Sequence, residues 1–138
     1  MVFLLVFLSG CSVTSHVPNE ATRQISRDLK ENSNIQRVRF TFMRPSVTCE
    51  IKVKESLTNE EINEILNEVK RLITVEFMRE IARDVDWNLE ISAFYLYIKP
   101  DSGGVTKRYF TKYYKSSNAS DPSTENIDGY RTWFEESE

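Results

Sequence analysis

The chain has 138 residues and a mass of 16.2 kDa, enough for one domain with a modest hydrophobic core. Hydrophobic residues make up 40% of the chain and charged residues 28%, which excludes a disordered or fibrous protein. The 18 Lys and Arg against 21 Asp and Glu leave a net charge of −3. Because nucleic-acid binding relies on an excess of clustered cations, we predict no nucleic-acid partner.

The N-terminal stretch is apolar from Val2 to Leu8 and ends in the tetrapeptide Leu8-Ser9-Gly10-Cys11. This apolar run is long enough for the core of a signal peptide but too short to cross a bilayer as a helix. The tetrapeptide resembles the lipobox of bacterial lipoproteins, although no Lys or Arg precedes the apolar run. The resemblance implies cleavage before Cys11 and a lipid on the Cys11 sulfur, which would anchor the protein to the extracytoplasmic side of the cell membrane. The alternative is a buried N-terminal strand.

The residues that follow Cys11 turn abruptly polar. Residues 1–10 are therefore expected to form a lipoprotein signal peptide, and residues 11–19 a tether. At about 3.3 Å per residue, this tether would keep the folded domain close to the membrane. The only histidine, His16, lies in the tether. In a linker this side chain would be exposed to solvent, and we assign it no role as a ligand or base.

Two kinds of periodicity follow. An apolar residue at every fourth position in residues 20–32 predicts a short amphipathic helix with Asn19 as its N-cap. Residues 35–42 and 47–53 then alternate between apolar and polar side chains. This alternation predicts two half-buried strands, joined by a short turn that contains proline into a hairpin.

Residues 58–85 carry the strongest helical signal of the chain. Thr58 and Glu61 have the spacing of a capping box, in which each side chain binds a free backbone donor of the other residue. Apolar residues then keep a helical spacing, which predicts one long helix of nearly eight turns. The alternative is a coiled coil, which the flanking strands disfavour. The apolar stripe consists of Ile62, Ile65, Leu66, Val69, Leu72, Ile73, Phe77 and Ile81.

Two further strands are predicted in residues 87–100 and 106–115, on either side of a turn of sequence DSGG. Both carry apolar side chains in both phases of the alternation, which one layer of helices cannot cover. Residues 117–138 are predicted to be a linker and a C-terminal segment that packs back on the sheet. Within this segment we expect Trp133 to dock on the sheet face away from the long helix.

The resulting order of elements is αββαββ. It predicts an α+β domain over residues 20–116: a two-layer sandwich with both helices on one face of a four-stranded, mainly antiparallel sheet. The first five elements resemble those of BON-type envelope domains in their order, without the glycine-valine signatures of that module.

Few residues have the types or spacing that catalysis or metal binding requires. With one histidine and two cysteines, no zinc pattern can be written, and we predict no metal site and no cofactor. Cys49 falls on the apolar side of its strand, so we predict that it packs in the core. Asp84, Asp86 and Glu90 cluster where the long helix passes to the third strand and could act as acids or bases, but such clusters are typical of solvated helix ends. The sequence favours a protein that is not an enzyme and leaves an enzyme open.

The last two strands are rich in aromatic and basic residues, which could bind a glycan, an anionic polymer or a partner protein. The alternative, which we favour, is that the aromatic side chains pair with one another across the strands, under the C-terminal segment. The candidate binding surface consists of Tyr95, Tyr97, Lys107, Arg108, Tyr109, Lys112 and Tyr113.

Together these features predict a membrane-anchored bacterial envelope lipoprotein with a non-enzymatic binding module of unknown biochemical activity. Its expected partners are the membrane, through the lipid anchor, and an envelope protein or a glycan. The alternative function is an envelope enzyme that acts on glycan through surface carboxylates. The sequence leaves the oligomeric state open.

Overall fold

The structure is a computed structural model that describes residues 20–54, 57–101, 103–116 and 123–136, together with the backbone of residues 15–16. The strands are β1 (Ser15–His16), β2 (Ile35–Met43), β3 (Ser46–Val53), β4 (Ala93–Pro100), β5 (Lys107–Lys112) and β6 (Trp133–Glu135). The helices are α1 (Glu20–Lys30), α2 (Asn59–Leu72) and α3 (Val75–Asp84), with a short 3₁₀ helix at Thr124–Asn126. The predicted α+β class is confirmed.

The strands form one mixed sheet in the order β1-β2-β3-β4-β5-β6, in which β1 is a two-residue segment at one edge. Strands β2 and β3 pair antiparallel, as the hairpin prediction requires, and so do β4 and β5. The sheet has more than the four strands that were predicted. Its pairs are mainly antiparallel, as predicted, except that β3 and β4 pair parallel. The reason is the crossover: α2 and α3 carry the chain back to the end of the sheet where β3 began, and β4 then runs beside β3 in the same direction.

The predicted long helix is two helices. The capping box of Thr58 and Glu61 is present at the start of α2. The helix stops at Ile73, which has an extended backbone, and the Thr74 hydroxyl accepts a hydrogen bond of 3.1 Å from the Phe77 N–H to begin α3. Three consecutive β-branched residues, Ile73 to Val75, disfavour a continuous helix at this point. The apolar stripe continues through the break because both helices bury their residues in the same core.

The core lies between one face of the sheet and the three helices. Phe40 on β2 packs against Phe77 on α3, with ring centroids 6.2 Å apart, and the apolar residues of α1 and α2 join the same buried cluster. Phe94 on β4 is fully buried in this cluster. The strand that was expected to start before Leu89 begins at Ala93, and the Leu89 side chain is 69% exposed.

The C-terminal segment returns along β5 and adds β6 to the edge of the sheet. The backbone N–H groups of Asp128 and Gly129 both donate to the Tyr113 carbonyl, and Trp133 pairs with Thr111. Trp133 lies on the helix side of the sheet, where its ring centroid is 5.9 Å from that of Phe94. The prediction that Trp133 docks on the opposite face is therefore wrong, because it reaches the core as part of an edge strand and not as a cover over the sheet.

Candidate functional site

The pairing register divides the side chains of the sheet between two faces. Residues directly opposite one another on paired strands point to the same side, and neighbours along a strand point to opposite sides. One row of opposed residues crosses five strands on the side away from the helices, and we call this side the open face. The row consists of Thr41, Thr48, Tyr95, Phe110 and Phe134.

Four aromatic rings lie side by side on the open face, and we call them the aromatic row: Tyr95, Tyr97, Phe110 and Phe134. The ring centroid of Tyr95 is 6.1 Å from that of Phe110 and 6.4 Å from that of Tyr97. Phe110 stacks on Phe134 with centroids 5.2 Å apart and planes inclined by 24°. None of the four rings is fully buried, and Phe134 is 44% exposed. The domain thus presents a continuous aromatic surface to solvent.

Cations border the aromatic row on both sides. The Arg108 guanidinium lies 5.7 Å from the centre of the Tyr97 ring, and the Lys112 ammonium lies 6.0 Å from that of Phe134. Arg39 is exposed on the same face, opposite Glu50 on β3. None of these three cations forms an ion pair with a carboxylate in the described parts of the chain. Each is therefore available to an anionic ligand.

The other cations of the open face are already neutralised in part. Lys99 donates a hydrogen bond of 3.1 Å to the Glu50 carboxylate, and Lys52 pairs with Asp101 at 3.3 Å. Arg37 lies 3.9 Å from Glu50. Positive charge available for binding is thus concentrated beside the aromatic row and not along the whole face.

Tyr97 carries a hydroxyl within this charged surface. Partial burial and the nearby Glu136 carboxylate raise the pKa of Tyr97, while Arg108 acts to lower it. This upward shift of the pKa moves ionisation further from physiological pH, and the neutral phenol can both donate and accept hydrogen bonds.

The residues of the predicted binding surface divide between the two faces. Tyr95, Tyr97, Arg108 and Lys112 lie on the open face. Lys107, Tyr109 and Tyr113 do not, since Tyr109 and Tyr113 are buried and Lys107 pairs with Glu135 at the opposite side of the sheet, 3.6 Å away. The sequence-based set mixed both alternation phases of β5, although adjacent strand residues cannot share a face.

Three residues of the surface were missed by the sequence-based selection: Arg39, Phe110 and Phe134. Phe110 has the same alternation phase as Arg108 and Lys112. Assigning alternate residues of β5 to alternate faces would therefore have placed it on the open face. Phe134 carried no such signal, because only the pairing of β6 with β5 brings it beside Phe110.

A groove lies between the end of α3 and the loop that leads to β4. This groove has a volume of about 1150 Å³ and includes Trp87, the exposed Leu89, Arg44 and Arg79 in its walls. The carboxylate of Glu90, one of the three acids singled out in the sequence, accepts two hydrogen bonds from the Arg79 guanidinium, at 3.0 and 2.9 Å. Asp84 and Asp86 are exposed and do not line the groove.

Cys49 is fully buried in the middle of β3. Burial, with a smaller contribution from the Glu50 charge, raises the pKa of the Cys49 thiol well above its ordinary value. Since the thiolate is the reactive form of cysteine, this residue has neither the access nor the ionisation that a nucleophile needs.

We therefore expect Cys49 to react with a thiol reagent only when the domain unfolds. In the Cys11→Ala protein, labelling in native buffer should be slow, and addition of denaturant should make it fast. Cys49→Ser should lower the free energy of unfolding by about 1–3 kcal/mol, because a hydroxyl in this apolar site would lack a partner. Rapid labelling of the native protein would contradict the buried position.

In the described parts of the chain, no three His, Cys, Asp or Glu side chains converge as a metal site would require. None of the described helices is both long enough and apolar enough to cross a membrane. The predicted signal peptide and Cys11 lie outside the described residues.

In comparisons with known proteins, the chain matches no family model, no curated protein and no solved structure. Function is therefore inferred from the surface chemistry of the domain.

Proposed function

We propose that this protein is a bacterial envelope lipoprotein whose α+β domain is a non-enzymatic binding module, and that the open face is its binding surface. The observation that carries this proposal is the aromatic row, bordered by Arg108 and Lys112, with Arg39 exposed on the same face. Exposed contiguous aromatic surface is uncommon on monomeric domains and is typical of interaction sites. Aromatic residues and arginine are also the types most enriched where proteins bind other molecules.

The position of the row in the fold supports a binding role. All three helices pack on the other side of the sheet, so the aromatic rings of the open face contribute little to the main core. Phe134 keeps 44% of its surface accessible although it is a large apolar residue on a three-residue edge strand. Cross-strand pairing explains the contact of Phe110 with Phe134, but it does not require that Phe134 stay exposed beside a cation without an ion pair.

The alternative of an enzyme that acts on glycan receives less support. Acid–base catalysis needs two carboxyl groups directed at one substrate position. Glu90 is held by Arg79 through two hydrogen bonds, and the other two acids of the sequence cluster lie outside the groove. The open face offers Glu50, whose carboxylate is engaged by Lys99, and the exposed Glu136 near Tyr97.

The location follows from the lipobox resemblance of residues 8–11, which supports an anchor at Cys11. In bacteria that express the protein from its native start, we expect it in the membrane fraction, labelled with palmitate. Cys11→Ala should abolish the label, since the sulfur that carries the lipid is removed. Cys49→Ala is the matched control and should leave labelling unchanged. Labelling that persists in Cys11→Ala would refute the lipobox assignment.

The binding role is tested by sedimentation with purified envelope fragments. The protein begins at Ser12 here, so that neither a lipid nor the apolar residues 2–8 can cause the association. We expect the protein to sediment with the fragments, and Phe134→Ala to lower the bound fraction several-fold. Leu89→Ala removes an exposed apolar side chain from the groove and should have no effect. Equal loss in both variants would argue against the open face as the binding surface.

A further inference from the structure

We propose that the ligand of the open face is an anionic polysaccharide, whose sugar rings stack on the aromatic row and whose acidic groups meet Arg39, Arg108 and Lys112. This inference rests on the proposed function, because it assigns a ligand class to the same surface.

The aromatic row suits sugar rings. Phe110 and Phe134 are nearly parallel and stacked, so they and Tyr95 form a broad apolar surface and not a single isolated ring. The face of a pyranose ring carries C–H groups of slight positive charge, which are attracted to the negative face of an aromatic ring. Thr41 and Thr48 continue the same row and offer hydroxyl groups to the hydroxyls of a saccharide. An apolar peptide would leave these polar groups without partners.

The charges of the face suit acidic substituents. The whole chain is acidic, with a net charge of −3, yet Arg108 and Lys112 border the aromatic rings without an ion pair, and Arg39 is exposed on the same face. Arg108 lies at one side of the row and Lys112 at the other, so a chain of acidic sugars that crosses the row would meet a cation on each side of it. A neutral glycan would give these cations no anionic partner. A polyanion without rings would give the aromatic side chains nothing to stack on.

Single-stranded nucleic acid also combines stackable rings with negative charge, and it is the closest rival class. Nucleic-acid binding draws its affinity from many phosphate contacts, on the order of 6–10 in a typical protein–DNA site. Among the described residues of the open face, few cations are free of ion pairs, and the chain has a negative net charge. The balance of ring surface to charge therefore favours an acidic glycan.

The test uses the full chain, purified in detergent. Four polymers distinguish the contribution of sugar rings to binding from that of negative charge. Polygalacturonate has sugar rings and carboxylates, its fully methyl-esterified form has the rings alone, and polyphosphate has the charge alone. Oligo-dT represents nucleic acid. We expect polygalacturonate to bind at least about tenfold more tightly than each of the other three, and its affinity to fall as salt is raised. Equal or tighter binding of polyphosphate or oligo-dT would overturn the proposal.

Variants at neighbouring positions of β5 provide the matched control. Arg108 and Lys107 are adjacent cations on opposite faces, so Arg108→Gln should weaken polygalacturonate binding about tenfold while Lys107→Gln leaves it unchanged. Lys112→Gln should act like Arg108→Gln. Because these substitutions remove surface charges only, an unchanged melting temperature will show that the loss is not one of folding. Equal affinity of Arg108→Gln and Lys107→Gln would contradict the proposal.

The two proposals can fail separately. If none of the four polymers binds, but envelope fragments still retain the protein and Phe134→Ala still releases it, the anionic polysaccharide is wrong and the binding role of the face stands. If Phe134→Ala has no effect on envelope retention, both proposals are wrong.

Discussion

Ending the chain after Ser117 is expected to lower the melting temperature of the domain by about 10 °C or more. The truncation removes Tyr130, which is 2% exposed and donates its hydroxyl to the Ile91 carbonyl at 2.5 Å, and Trp133, which packs on Phe94. Burial of two such side chains contributes about 3 kcal/mol or more, and for a domain of this size each kcal/mol shifts the melting temperature by several degrees. Thermal unfolding followed by circular dichroism measures the effect.

The same segment can be probed without truncation. Tyr130→Phe keeps the ring and removes only the hydroxyl, so the Ile91 carbonyl loses its donor, and we expect a smaller loss of about 1–3 kcal/mol. In the intact chain with Trp87 replaced by Phe, Trp133 emission should be blue-shifted relative to that of the unfolded protein. A truncated chain that melts at the same temperature as the intact chain would show that β6 adds nothing to the fold.

Phe94→Ala is expected to destabilise the domain by about 3–5 kcal/mol, which is the usual cost of a large cavity in a packed core. The Phe94 side chain is fully buried on the helix side of β4, where it contacts Phe40 and Trp133. The cavity would therefore remove ring contacts to β2 and to β6 at once. Denaturant unfolding measures the loss of free energy.

Phe134→Ala is the matched control for this substitution, because it removes the same side chain from the opposite face of the sheet. Phe134 is 44% exposed and contacts Phe110, so its loss should cost well under half as much stability. If both variants lost the same stability, the open face would be part of the core and could not serve as a free binding surface.

Local signals predicted the first half of the fold well. The capping box at Thr58 and the alternation in β2 and β3 depend on interactions between residues close in sequence, and both are present in the structure. The sequence did not predict the break at Thr74. Two consecutive helices that pack on the same sheet have apolar residues at the same spacing as one continuous helix. The run of β-branched residues at the break was the available signal.

The candidate surface depends on long-range pairing, which the sequence shows poorly. Strands β4 and β5 carry apolar residues in both phases of the alternation. Composition alone therefore could not show that Tyr109 is buried in the core while Phe110 is half-buried on the open face. The parallel pairing of β3 with β4 sets which rows align across the sheet, and it depends on the path of α2 and α3. Phe134 joins the surface only through the return of the C-terminal segment, more than twenty residues after β5 begins.

Nuclear magnetic resonance tests most directly whether the open face is the binding surface. The isotope-labelled protein, which begins at Ser12 to exclude the apolar residues 2–8, is titrated with solubilised envelope fragments. The backbone amide signals of Arg108, Phe110 and Phe134 are expected to shift or broaden as the fragments are added. The signals of Trp87 and Leu89 in the groove should stay in place. Changes confined to the groove residues, with the β5 and β6 signals unmoved, would contradict the proposed function.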